Sequence, residues 1–445
     1  MRAIGLQRGL FMNLFYDANN IYDGGTKAIA GSSFKQSTQL FEMNQLLETA
    51  HIQRDLMEEI YGPERGRKFV INERGTTRYI TSNVMRDKTV NHVLCDEVLS
   101  PSIAPFVIYD NDASQKGKGV KHHRDRIEVH LHDYFQTYGT NRGWILLVDF
   151  SGYYPNIPHE KCLEVMDCFL DRNNKLTPDE IRVAKWLMRK ILKTFELDVS
   201  RFSDEEIERM MRTKIDPMIN SGVDPKLLTG KKKLRKGCDI GSQPSQNIGI
   251  IYPYRLDNYA KIVKGVKGYG RYTDDFHAIH PSRVFLEELL EGFREIAKEY
   301  DLIINEKKTR ICPIDKPFRI LKVQYWLTDS GKVVRKINPK SITRERRKLK
   351  AYRRLLDANR IDYETVENSF KSWLGGHWKL MSMQQINNMS ALYYELFKRR
   401  ITWKKGHGRL NWLMGQPWRG SVSTVTTTSV QKSSQLTTSR ENSRM

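Results

Sequence analysis

Three aspartates, Asp149, Asp274 and Asp275, stand where carboxylates would do metal-dependent chemistry. Asp149 closes the apolar run Trp144-Ile-Leu-Leu-Val148, which reads as a buried strand delivering a carboxylate at its tip. Asp274 and Asp275 close Tyr272-Thr273-Asp274-Asp275, and residues 268–279 around them read as a hairpin with the acids at its turn. Oxygen donors of this kind suit divalent ions, and two such ions roughly 3.5–4 Å apart clamp the attacking and leaving oxygens of a phosphoryl transfer. Alone, the paired aspartates are a modest signal, because aspartate is a common turn residue. Neighbouring side chains on a strand face opposite ways, so the two contribute unequally unless the turn twists them; Asp274 is the expected stronger ligand.

Order and surroundings raise the odds. Asp149 runs on into Phe150-Ser-Gly-Tyr153-Tyr154-Pro-Asn156, and the loop Gly237-Cys-Asp-Ile240-Gly241-Ser-Gln-Pro-Ser245-Gln246 opens a helix before the hairpin is reached. In this order the segments resemble the reverse transcriptases of prokaryotic retroelements over roughly residues 68–327, with a similar helical region beyond.

The resemblance implies an RNA-directed DNA polymerase. It implies two Mg2+ ions, with Mn2+ able to substitute, on Asp149, Asp274 and Asp275, and the Phe150 carbonyl as an extra ligand. Tyr154 falls beneath the incoming sugar, where its ring would clash with a 2'-hydroxyl and favour deoxynucleotides. Arg78, Lys116 and Lys118 fall where the family holds the triphosphate, glycine beside lysine letting backbone approach phosphate. Ile240, Gly241 and Gln246 belong to the template- and nucleotide-positioning block. In Asn305-Glu-Lys-Lys308-Thr309, Lys308 falls near the departing pyrophosphate, as proton donor or countercharge. The implied partners are an RNA template, a dedicated non-coding RNA among the candidates, a DNA or RNA primer and dNTPs, with an accessory protein left open.

One departure narrows the kinship. Most group II intron-type enzymes carry Gln-Gly where this chain has Ile240-Gly241, and the Ile-Gly-x-x-x-Ser-Gln form resembles enzymes of diversity-generating retroelements. An antiphage defence role rests on the compact layout without a recognisable endonuclease, zinc or integrase segment. The alternative from another class is a maturase-like RNA-binding protein that no longer polymerises; burying three unused carboxylates together would be costly, which weighs against it.

The expected fold class is α+β, a right-hand polymerase with fingers, an antiparallel palm sheet covered by helices, and a helical thumb. Residues 1–67 form an N-terminal helical extension, 68–145 the fingers, 146–327 the palm, 328–412 the thumb and 413–445 a Ser/Thr-rich tail expected to be disordered. Apolar spacing predicts helix within 34–60, two short strands over 68–80, a helix over 87–99, helical structure over 158–228 with Thr177 as a cap, an amphipathic helix over 286–300, and short strands around 303 and over 320–327. Residues 342–398 read as helical, with Arg344, Arg346, Arg347, Lys348, Lys350, Arg353 and Arg354 crowded at their start. The basic loop 231–236 reads equally well as a solvated turn or a nucleic-acid contact. Trp373, Trp378, Trp403, Trp412 and Trp418 are expected in packing roles.

Composition agrees with a polyanion as partner. Lys and Arg exceed Asp and Glu by +22, so counterion release would make binding strongly salt-dependent. The five cysteines form no CxxC pair, against a zinc module or a disulfide framework and in keeping with a reducing compartment. No apolar run approaches the roughly 20 residues of a membrane span, and a cytoplasmic protein without a membrane is the expectation.

Overall fold

The computed structural model describes residues 13–73 and 76–401. The expected tail at 413–445, the end of the thumb range, and Trp403, Trp412 and Trp418 lie outside them. The fold is mixed helix and sheet, and its sheets pair antiparallel. Two compact units divide between Lys336 and Ile337.

In the first unit, β1 (Arg67–Glu73) and β2 (Thr76–Ser82) form the expected hairpin. The central sheet is built from β3 (Trp144–Asp149), β4 (Gly268–Tyr272), β5 (Asp275–His280) and β6 (Arg310–Pro313), in the order β4-β5-β3-β6. Being interior explains the composition of β3: Ile145, Leu146, Leu147 and Val148 are all buried, which needs apolar residues on both faces rather than alternation. A second hairpin, β7 (Phe318–Ile320) and β8 (Val323–Leu327), follows.

Helix Arg283–Glu299 covers the sheet with Leu286, Leu289, Leu290, Phe293 and Ala297, a stripe at helical spacing, and Phe293 meets Phe276 of β5 with ring centroids 6.1 Å apart. Helix Pro178–Phe195 starts at Thr177 with a full capping box, Glu180 returning the bond to the Thr177 N–H.

Three expectations are corrected. Helical structure does not run through 158–228: after Phe195 the chain makes a short strand at Leu197–Asp198, returns in one at Lys233–Leu234, and packs Val199, Ile215 and Leu234 into a small core of its own. The basic loop 231–236 is mostly spent inside the chain. Lys232 pairs with Asp204 at 2.8 Å, and fully buried Lys236 donates to the carbonyls of Met210, Met211 and Thr213 at the C-terminal end of helix Asp204–Arg212, where the helix dipole favours a cation. The strand expected near residue 303 is a single bridge, Phe150 to Ile304.

The second unit holds helices Pro339–Asp357, Tyr363–His377 and Met383–Phe397. Phe370 and Tyr393 stack 4.8 Å apart in its interior, with Trp373 buried beside Phe370. Ile342 and Leu349 of the first helix point inward, leaving Arg344, Arg346, Arg347, Lys350 and Arg354 exposed.

Candidate active site

The sheet register brings the three acids together. Asp149, the last residue of β3, stands directly across from Asp275, the first residue of β5, and Asp275 in turn pairs with Tyr272 across the hairpin. Only Thr273 and Asp274 form the turn. Thr273 is held left-handed at φ 57°, a conformation that costs a β-branched residue about 1–3 kcal/mol and persists only where its surroundings enforce it. Asp274 therefore sits at the tip of the turn, with Asp275 beginning the strand.

Asp149 is buried and held from below. Its carboxylate accepts from Lys308 Nζ at 3.0 and 2.9 Å and from Asn305 Nδ2 at 3.0 Å. Its backbone carbonyl accepts the Asn305 N–H at 2.8 Å, and the Ser151 N–H donates to Ile303 at 2.7 Å. These bonds skip the Phe150 carbonyl, while the Phe150 ring packs edge-on to Phe276 at 5.2 Å.

Electrostatically the site is under tension. Burial first, then the Asp149 charge, pushes Asp274 up to about 6; burial, then Asp274 and Asp149, pushes Asp275 up to about 7. Burial is the largest single influence on the Lys308 ammonium and works against it, but the hydrogen bond to Asp149 and the charges of Asp149, Asp274 and Asp275 together outweigh burial and raise its pKa. The donors are all oxygen, the set that suits a hard divalent cation, and a cation would relieve the repulsion. Among the described residues no three acidic, histidine or cysteine side chains already stand in an ion-holding arrangement; the Lys308 ammonium lies on Asp149 instead.

Because the folded pKa values lie above the ordinary carboxylate value, the folded state binds more protons than the unfolded state between about pH 4 and 7, and the metal-free protein loses stability as pH rises through that window. Asp275→Asn is expected to melt about 2–5 °C above wild type at pH 7.5 in chelator, with the gap closing by pH 5 and shrinking when Mg2+ is added at pH 7.5. Thermal melts across pH check this, and a gap independent of pH would refute it.

Beside Asp274 and Lys308 opens a cavity of about 380 Å3, also lined by Arg78, Tyr154, Ile240 and Asp239. Arg78 reaches it from β2, which is tied to the Ile240 loop by the Thr81 N–H to Ile240 carbonyl bond at 3.0 Å. Gly241, at φ 130°, lets that loop approach: a Cβ there would lie 2.7 Å from the Thr81 carbonyl. Gly241 and Gln246 face a separate groove of about 500 Å3, also lined by Lys35, Phe69 and Lys88. Lys116 and Lys118 are not among the cavity's lining residues. Lys116 is exposed, and Lys118 donates inward to the Tyr109 and Asn111 carbonyls at 2.5 and 3.2 Å.

Several residues here escaped sequence reading. Asn305 lies within a motif noticed only for its lysines. Asp239 lines the cavity while accepting from Ser242 and Ser245, each at 2.7 Å, and burial raises its pKa. Lys214 lines it from the excursion after Phe195, its stem lying against Gly152. Arg271, next to Tyr272, is wholly buried beneath the turn. None has a spacing that marks it.

No protein-family model and no curated protein matches this chain. Among solved structures it is similar to a C-terminally truncated apo telomerase from Candida Tropicalis, at 13% identity and TM-score 0.42, over 61% of this chain and 55% of that one. It is similar also to a Candida albicans telomerase in complex with a TWJ fragment of telomeric RNA, at 12% identity and TM-score 0.40, over 76% of this chain and 60% of that one. A further apo Candida Tropicalis telomerase gives 14% identity and TM-score 0.40, over 79% and 61%. The match thus spans 55–61% of the telomerase chains.

Proposed function

We propose that this chain is an RNA-directed DNA polymerase that extends a primer with deoxynucleotides, of the kind found in prokaryotic retroelements. The observation that carries the reading is the register: Asp149 opposite Asp275, with Asp274 at the turn beside a cavity that also takes Arg78, Tyr154 and Lys308. The right-hand division into fingers, palm and thumb belongs to the same reading.

Asp149, Asp274, Asp275 and the Phe150 carbonyl would hold the two magnesium ions, whose chemistry when bound is to activate the attacking hydroxyl and neutralise the leaving phosphate. Arg78 steadies the triphosphate by charge. Tyr154 bounds the sugar; burial raises its hydroxyl pKa, so the ring stays neutral and acts by shape. With metal on the acids, Lys308 would be free of Asp149 and its ammonium would supply a proton or countercharge to the departing pyrophosphate. Ile240, Gly241 and Gln246 position template and nucleotide. The exposed arginines of helix Pro339–Asp357 suit a duplex backbone, a sequence-tolerant contact.

Primer extension on an RNA template with Mg2+ tests the reading: product dependent on template and dNTPs is expected, and RNA binding without any extension would instead favour the maturase-like alternative. A template RNA copurifying with the protein would identify its partner, and a variable repeat beside the gene would favour diversity generation over defence. Ile240 bears on fidelity, since an apolar side chain offers no hydrogen bond to enforce pairing geometry. Ile240→Gln is expected to lower misincorporation severalfold in a single-mismatch assay, and unchanged error rates would sink that role.

A further inference from the structure

We infer that Arg271 is the positioning residue of the metal site, fixing the turn that presents Asp274; the inference rests on the reading of the three aspartates as metal ligands. The arginine side chain is wholly buried, and every one of its five N–H donors is engaged. Nε donates to both Asp257 oxygens at 2.9 and 3.0 Å, and Nη2 donates to Asp257 Oδ2 at 2.7 Å and to the Ile250 carbonyl. Nη1 divides between the Gly249 and Thr273 carbonyls, each at 3.2 Å.

The last of these bonds is the important one. Thr273 is the residue held at φ 57°, and its carbonyl belongs to the peptide that leads into Asp274. A guanidinium fork anchored by Asp257 therefore grips the strained peptide on which the candidate metal ligand is mounted.

The same fork reaches sideways. The Gly249 carbonyl it holds also accepts the Tyr153 hydroxyl at 3.0 Å, and a Cβ on Gly249 would lie 2.4 Å from the Tyr154 hydroxyl. One side chain thus joins the turn, helix Gln243–Ile251 and the tyrosine pair after Asp149. The Arg271 backbone is itself fixed, its N–H donating to the Asp110 carbonyl at 2.8 Å and its carbonyl accepting the Asp112 N–H at 3.1 Å. An ammonium has three donors and no planar fork, so lysine would keep the charge opposite Asp257 without reproducing the grip on Thr273.

The test is Mn2+ binding to the full-length protein, followed by electron paramagnetic resonance, beside single-nucleotide extension. Arg271→Lys is expected to weaken Mn2+ binding about tenfold and to lower kcat about 100-fold, with KM for the nucleotide within about threefold, as for a displaced reacting group. Asp257→Asn removes the charge that anchors the fork, and is expected to weaken Mn2+ binding in the same direction as Arg271→Lys and by no more than that variant does. In Arg271→Lys/Thr273→Gly, glycine adopts the positive φ without help, so Mn2+ affinity should return to within about threefold of wild type.

Wild-type Mn2+ affinity in folded Arg271→Lys overturns the inference, as does a folded double variant whose Mn2+ affinity stays as low as that of Arg271→Lys, which would mark general destabilisation. If Arg271→Lys gives no cooperative melt, the double variant decides: folding with recovered Mn2+ affinity supports the role, and any other result overturns it. A wild-type protein that binds Mn2+ but extends no primer defeats the polymerase reading and leaves this one standing.

Discussion

Asp274→Asn is expected to cut primer extension by at least about 1,000-fold, roughly 4 kcal/mol of transition-state stabilisation, while RNA binding stays within about twofold. Asparagine keeps the shape of the side chain and an acceptor oxygen but not the charge a divalent ion needs. Asp274 lines the cavity, so on the proposed polymerase reading its loss would fall on the reacting end of the nucleotide. The exposed arginines of helix Pro339–Asp357, which the proposed function assigns to the nucleic-acid backbone, are untouched, so on that reading RNA affinity should hold. Single-nucleotide addition and filter binding on one protein preparation compare the two effects. Burial and the nearby Asp149 charge already push Asp274 up to about 6, so the neutral variant is expected to melt no lower than wild type in chelator. Lost activity would then not reflect unfolding, and equal extension by both proteins would refute the site assignment.

Tyr154→Ala is expected to shift the preference for deoxy- over ribonucleotides by about 100-fold, near 3 kcal/mol, chiefly by admitting ribonucleotides. Tyr154 is wedged in place: its ring packs against Tyr153 with centroids 5.3 Å apart, and its hydroxyl abuts Gly249, where even a methyl group would collide. A ring so confined cannot swing aside for a 2'-hydroxyl, whereas alanine leaves the space open. The ratio of kcat/KM for dNTP and rNTP on one template measures the shift. An unchanged ratio with normal dNTP use would show that the sugar is selected elsewhere.

The elements that carry the acids were legible because their chemistry and their local folding pull the same way. The apolar run Trp144–Val148 before Asp149 suits a strand buried on both faces, and β3 is that strand. Tyr272 and Asp275 pair across a two-residue turn, as a hairpin with acids at its tip requires. Lysines were harder to read. Lys118 shares its glycine-flanked surroundings with a phosphate loop, yet the chain folds so that its ammonium reaches the Tyr109 carbonyl. Lys236 ends a basic run and is nevertheless buried, because a helix terminus formed by residues far earlier supplies three carbonyls. Helix Val120–Tyr138 went unread: its inward face includes His123 and His130 beside Ile127 and Leu131, which blurs the apolar stripe. Arg271 was invisible for a related reason, since apart from Asp257 its partners are the Gly249, Ile250 and Thr273 carbonyls, backbone groups that no side-chain pattern announces.

The strand order of the central sheet also bears on how the chain is made. β3 lies between β5 and β6, but both of its partners come from chain more than a hundred residues downstream. At about 5–20 residues per second, a ribosome needs on the order of ten seconds to supply them. Throughout that interval Ile145 to Val148 lack both of the neighbours that cover them in the folded sheet, and an apolar segment with unpaired edges is prone to pair with the wrong chain. The aspartate at its tip meets Asp275 only when the sheet closes, so the nascent protein passes through its aggregation-prone stage before its three aspartates can come together.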